Sequence, residues 1–157
     1  MLDHLTDLGG TLYLVAIVVV VGLFDWRRRR NSAVLLFLGI TLGGIFLLNN
    51  ALKLLVDRER PDVIHHVGLA GSSFPSGHSA AAAATWCAVA LVVSREWSRR
   101  GRALAAGGAA AIAIAVATSR VLLGVHWLTD VVAGLLVGWC WFVLCALAFG
   151  GRVQRLG

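Results

Sequence analysis

Charge is scarce in this chain of 157 residues: Asp, Glu, Lys and Arg make up 14% of it, against about a quarter in a soluble domain. Hydrophobic residues make up 59% and the mean hydropathy is +0.82, so the apolar excess has to face lipid rather than water. There are only two prolines, Pro61 and Pro75, and they share one short stretch. The three cysteines, Cys87, Cys140 and Cys145, lie inside apolar runs without zinc-ligand spacing and read as small buried hydrophobes. Residues 1–10 hold Asp3 and Asp7 but no Lys or Arg. They therefore lack the positive region of a signal peptide. The apolar residues do not alternate, which excludes a β-barrel and leaves helices as the form in which lipid-embedded backbone satisfies itself. No internal repeat or low-complexity linker is found, and the length suits one domain, 1–157, with no separate soluble module. The net charge of +6 does not indicate nucleic acid. The arginines sit in short loops between apolar runs, not on one continuous face.

What remains is an all-α integral membrane bundle. Five apolar runs are expected to form five transmembrane helices, at about residues 8–24, 33–56, 78–93, 103–118 and 127–149. Arg27, Arg28, Arg29 and Arg30 follow the first run. Arg95, Arg99, Arg100 and Arg102 follow the third, and Arg152 and Arg155 the fifth. With five spans all ten fall on one side, which the positive-inside rule makes cytoplasmic. The other four of the 14 basic residues, Lys53, Arg58, Arg60 and Arg120, fall on the opposite face. Trp26, Trp97 and Trp127 sit at span boundaries and read as interfacial anchors. The pairs Gly39/Gly43 and Gly134/Gly138 suit close helix packing within one bundle, with a homo-oligomer seam as the alternative.

The opposite face carries three polar islands, and ionisable residues at membrane depth are functional candidates by default. One runs from Lys53 to Arg60-Pro61. Pro61 is expected to end the second span, and residues 61–75 to form a loop over the bundle mouth. Lys53 lies inside the end of its helix, where a cation needs an anionic partner. Arg58, Asp57 and Glu59 read equally well as a solvated cluster, and His65 and His66 as solvated loop residues. The second island is Pro75-Ser76-Gly77-His78. Ser76 is a plausible N-cap, the helix start attracts anions, and Gly77 permits close backbone approach. The third is Ser119-Arg120 with His126 and Asp130, the last two placed one turn apart at the start of the fifth helix. There the carboxylate can orient the imidazole as a base or nucleophile, although the pair alone is equally a chance helical contact. Three cations with two imidazoles can hold a phosphate and act on it.

These islands resemble the signature of the type 2 phosphatidic acid phosphatases, a family sharing its core with vanadium haloperoxidases and glucose-6-phosphatase. The pattern KxxxxxxRP, PSGH, SRxxxxxHxxxD is matched in order and spacing by Lys53 to Arg60-Pro61, Pro75-Ser76-Gly77-His78, and Ser119-Arg120 through His126 to Asp130. The resemblance implies that Lys53, Arg60 and Arg120 bind phosphate oxygens, with Ser76 and the Gly77 N–H assisting. It implies that His126 attacks phosphorus, Asp130 orients His126, His78 protonates the leaving oxygen and Ser119 supports. No metal and no cofactor is implied. The expected function is hydrolysis of a membrane lipid phosphate or diphosphate by a multi-pass protein of the cell membrane, on the extracytoplasmic side. Polyprenyl diphosphate, phosphatidic acid and phosphatidylglycerol phosphate all fit. A lipid phosphotransferase using the same site and a non-enzymatic transporter or assembly subunit are the alternatives, with haloperoxidase activity disfavoured by the apolar composition. Bacterial members often have six spans where five are counted here, which leaves the lipid entrance wall, and a second subunit's share in it, open.

Overall fold

The computed structural model describes residues 2–61 and 71–154, with side chains described from residue 5 to residue 149. A six-residue helix, α1 (Leu2–Asp7), precedes five long ones: α2 (Thr11–Arg29), α3 (Ala33–Val56), α4 (Gly77–Ser94), α5 (Arg99–Leu122) and α6 (Leu128–Gln154). The long helices are the five apolar runs read from the sequence. By length and composition α3, α4, α5 and α6 can each cross a membrane. In α2 the apolar part ends at Phe24, and Asp25 and three arginines occupy its last turns.

Helix α4 is the axis of the bundle and touches α2, α3, α5 and α6. Its residues 80–84 are five alanines with essentially no exposure. Small side chains allow this because helix association in lipid gains from close backbone approach. The glycines of α6 complete the fit: a Cβ on Gly138 would lie 2.3 Å from the Ala80 carbonyl oxygen, and one on Gly134 2.6 Å from that of Ser76. The Gly134/Gly138 pair therefore works inside the bundle, as expected. Gly39 and Gly43 have nothing near where a Cβ would stand and lie on the outer face of α3.

A core of Leu14, Val18, Val34, Phe37, Leu38, Leu42, Ile45, Ala84, Ala88 and Cys145 joins α2, α3, α4 and α6. Large apolar side chains such as Leu12, Leu47, Leu54 and Leu147 point outward. On a soluble protein that much exposed apolar surface would be a liability, and here it is the lipid-facing wall. Cys145 is buried as expected and Cys87 is half-buried, whereas Cys140 is exposed on the outer face of α6.

The two ends of the bundle differ in chemistry. At the arginine-rich end buried Asp25 of α2 pairs with Arg95 just beyond α4 and with Arg29, and Arg29 also meets Glu96. At the other end the C-termini of α3 and α5 meet the N-termini of α4 and α6. There the three polar islands lie.

Candidate active site

Each island is delivered by a helix end with a definite local cause. Helix α3 stops at Val56, before Pro61, because Asp57 turns left-handed (φ 39°) and its N–H returns to the Lys53 carbonyl. Asp tolerates that conformation better than most residues. Lys53 is thereby left in the last turn of α3, as expected. The chain that follows is stitched to residues 71–76. The Ser73 N–H donates to the Arg58 carbonyl (2.8 Å), Ser73 Oγ to the Glu59 carbonyl (2.9 Å), and the Arg58 N–H to Ser72 Oγ (3.0 Å). Lys53 Nζ donates to the Ser72 carbonyl at 2.6 Å, and Arg60 donates to the carbonyls of Gly71 (3.2 Å) and Val125 (3.1 Å). The two cations are thus fixed by backbone, and among the described residues no carboxylate forms a salt bridge with either. The expected solvated positions of His65 and His66 lie outside the described residues.

Ser76 occupies the N-cap position of α4, but its hydroxyl accepts from Ser79 Oγ (3.0 Å) and not from a backbone amide. The expected side-chain cap is absent. The Ser76 N–H donates to the Asp130 carbonyl at 3.0 Å, which ties the second island to the third. Gly77 faces Asn49, whose Nδ2 would be 3.3 Å from a Cβ placed there. Asn49 is buried one turn deeper than Lys53, and its Oδ1 has no hydrogen-bond partner among the described residues.

The third island differs most from expectation. His126 is not in the helix but in the turn before it, a turn that uses Gly124 at φ 68°. Trp127 precedes α6, and Asp130 reaches back so that its Oδ2 accepts the Trp127 N–H at 3.0 Å. This is one half of a capping box. Asp130 has no solvent exposure, and its other oxygen, Oδ1, accepts from Arg58 at 2.8 Å. His126 Nδ1 lies 3.5 Å from Asp130 Oδ2 and has no hydrogen-bond partner among the described residues. The two side chains are therefore adjacent, as the spacing predicted, with the shorter bonds of the carboxylate directed elsewhere.

Arg58 is the residue that sequence reasoning weighed too lightly. It bonds Asp130 Oδ1 and Thr129 Oγ1 (2.6 Å), and its guanidinium sits 5.6 Å from the Trp127 ring centroid. Trp127 in turn donates Nε1 to the Glu59 carbonyl (3.3 Å), so it clamps the islands together as well as sitting at a boundary. No local pattern distinguishes Arg58 from its neighbours Asp57 and Glu59. Only the return of α6 beside residue 58 does.

Arg120 is 8% exposed and its Nε has no partner among the described residues. Ser119 is buried beside it and donates to the Val116 carbonyl (2.7 Å). Arg60, Arg120 and Lys53 all act electrostatically on His126. The same three cations act on His78 in the first turn of α4. The pKa of His126 is lowered from 6.5 to about 4. Burial is the largest cause, followed by Arg60 and Arg120, with Asp130 pulling the other way and Lys53 adding to the lowering. At neutral pH the imidazole is uncharged and carries a free lone pair. Cations acting on a buried neutral imidazole are an arrangement that can bind an anion and attack it.

Residues 32–154 match the PAP2 superfamily. The chain belongs to that superfamily. It is 35% identical over 155 residues to phosphatidylglycerophosphatase B of Bacillus subtilis (strain 168), a match that covers 96% of this chain and 74% of that protein. It is 36% identical over 125 residues to a lipid A 1-phosphatase of Rhizobium johnstonii, covering 73% of this chain and 46% of that one. The crystal structure of the transmembrane PAP2-type phosphatidylglycerolphosphate phosphatase from Bacillus subtilis superposes with a TM-score of 0.87 at 33% identity, covering 98% of this chain and 77% of that chain. The PAP2 protein described here is a multi-pass membrane enzyme, a hydrolase of lipid phosphates.

Proposed function

We propose that this phosphatase removes phosphate from a glycerophospholipid monophosphate of the phosphatidylglycerol phosphate type, at the extracytoplasmic face, through a phosphohistidine at His126. The observation that carries the reading is the set of three cations, Lys53, Arg60 and Arg120, acting on one buried neutral imidazole. The substrate class follows the Bacillus subtilis relative, and phosphatidic acid and polyprenyl diphosphate are the competing substrates to be assayed beside it. The sidedness rests on the arginines gathered at the opposite end of the bundle.

In this mechanism Lys53, Arg60 and Arg120 neutralise the phosphoryl oxygens, and the Gly77 N–H and Ser76 at the start of α4 assist. Nδ1 of His126 is the nitrogen nearest Asp130, so Nε2 is left to attack. The Nε2–P bond forms as the P–O bond to the lipid breaks, and His78, which is charged in the complex because the substrate phosphate offsets Lys53, Arg60 and Arg120, gives its proton to the departing oxygen. Water then attacks phosphorus, the N–P bond breaks, and His78 recovers a proton from that water. Charge stabilisation by fixed cations takes the part that Mg²⁺ plays in many phosphoryl transfers, so no metal is required.

The test is phosphate release by purified wild-type protein and His126→Ala from phosphatidylglycerol phosphate, phosphatidic acid and polyprenyl diphosphate, each with EDTA present. The proposal expects wild-type turnover that survives EDTA, favours the first lipid and vanishes in the variant. Turnover abolished by EDTA, or retained by His126→Ala, would overturn the mechanism. Faster turnover of another lipid would replace the substrate.

A further inference from the structure

The short helix α1 carries no recognised motif, yet the corner joining it to α2 is anchored on the active-site elements. Trp86 of α4 donates Nε1 to the Leu8 carbonyl at 3.0 Å. A Cβ on Gly9 would lie 2.6 Å from Val116 Cγ1 of α5 and 3.1 Å from the His78 carbonyl oxygen. The corner therefore presses on the same turn that presents His78. Thr6, in the last turn of α1, accepts a hydrogen bond from an N–H of Arg120 at 3.0 Å and lies 3.2 Å from Ser119 Oγ.

The proton count at these hydroxyls is informative. Ser119 has one hydroxyl proton, and its shorter contact, 2.7 Å, is to the Val116 carbonyl. Its oxygen is then left to accept the Thr6 proton, since each hydroxyl donates once and accepts freely. The order is Arg120 to Thr6 to Ser119 to Val116, with both hydroxyls satisfied. An arginine side chain is rotamer-rich, so a guanidinium used to bind an anion in one geometry needs something to hold it. Arg120 has no carboxylate partner among the described residues, and its Nε is unpartnered.

We propose that Thr6 is a positioning residue: its hydroxyl fixes the Arg120 guanidinium so that the remaining N–H groups are presented to the substrate phosphate, which makes α1 part of the active-site wall. The inference rests on the phosphatase reading above. It goes beyond it by giving Ser119 a purpose as the far anchor of the same hydrogen-bond chain.

The experiment compares wild type, Thr6→Val, Thr6→Ala and Thr6→Ser in detergent. Three quantities are read: kcat and KM for phosphatidylglycerol phosphate, the inhibition constant of inorganic phosphate, and the thermal midpoint. A hydrogen bond to a charged group is worth roughly tenfold or more in binding. Thr6→Val and Thr6→Ala should each weaken phosphate inhibition and kcat/KM by about that factor. Thr6→Ser should stay within about threefold of wild type, because it keeps both the acceptor and the proton. A structural role alone would lower the midpoint without moving the phosphate constant of the folded enzyme. Wild-type phosphate inhibition in both Thr6→Val and Thr6→Ala overturns the proposal, as does equal impairment of Thr6→Ser. A wild-type protein that neither releases nor binds phosphate overturns the phosphatase reading itself, and this inference with it.

Discussion

Removing the Arg58 guanidinium should move the acid limb of the pH–rate profile upward. In the folded protein Asp130 is held by Arg58 at 2.8 Å and by the Trp127 N–H at 3.0 Å, while His126 Nδ1 stands off at 3.5 Å. The pKa of His126 is about 4. Protonating it adds a charge to a site that already holds Lys53, Arg60 and Arg120, with Asp130 favouring the protonated form. In Arg58→Ala the Asp130 carboxylate loses its nearest cation and is free to turn to His126. Two unit charges about 3.5 Å apart at an effective dielectric of about 20 interact by roughly 5 kcal/mol. Arg58 is 39% exposed on its side chain, so solvent screens much of its share. A gain of about 1.4 kcal/mol for the imidazolium, one pKa unit, is the expected size. The assay is kcat/KM against pH from about 3.5 to 8, with the substrate's own phosphate ionisation titrated separately and subtracted. The reasoning is refuted by an acid limb that stays in place or moves downward while folding is retained.

Other consequences can be measured on the same protein. Gly138→Val should lower the thermal midpoint by an amount equivalent to about 1–3 kcal/mol or more of overpacking, because a Cβ there meets the Ala80 carbonyl oxygen at 2.3 Å. Gly39→Ala, with open space around it, should be neutral or stabilising by about 0.5–1 kcal/mol. Arg95→Ala should cost about 1–3 kcal/mol of stability, since it removes the closer cation from the buried Asp25 and leaves it Arg29 at 3.5 Å. The turnover of the molecules that remain folded should be unchanged, because that pair lies at the opposite end of the bundle. The lowered pKa of His126 also has a linkage consequence. Above pH 6.5 the imidazole is neutral folded or unfolded. As pH falls from 6.5 towards 4 the unfolded chain takes up a proton that the folded one refuses, so stability should decline across that window and level off below it. His126→Gln should flatten the decline.

The five long helices were legible because lipid imposes length and apolarity directly on sequence. The α3 limits agree at both ends, while α2 and α5 run on through charged residues that hydropathy alone excludes. Pro61 was expected to stop α3, but the left-handed Asp57 stops it earlier, a backbone event that composition does not announce. The site residues read from the three islands do gather at one end, because alternating helices bring every second loop to the same face. Contacts that cross between distant segments were not legible. Arg58 meets Asp130 across 72 residues and Thr6 meets Arg120 across 114. Neither Arg58 nor Thr6 stands at a spacing that local periodicity marks. The i, i+4 spacing of His126 and Asp130 gave their proximity correctly but the wrong reason, since His126 belongs to a turn and Asp130 caps the helix that follows.

The central claim is that His126 carries the phosphoryl group. Wild type and His126→Ala should be mixed with phosphatidylglycerol phosphate labelled in its terminal phosphate, quenched in alkali within milliseconds, and digested. The account predicts label on the peptide containing His126 in the wild type, stable to alkali and lost in acid, and none in the variant. Full turnover in the wild type with no labelled histidine at any quench time would contradict it.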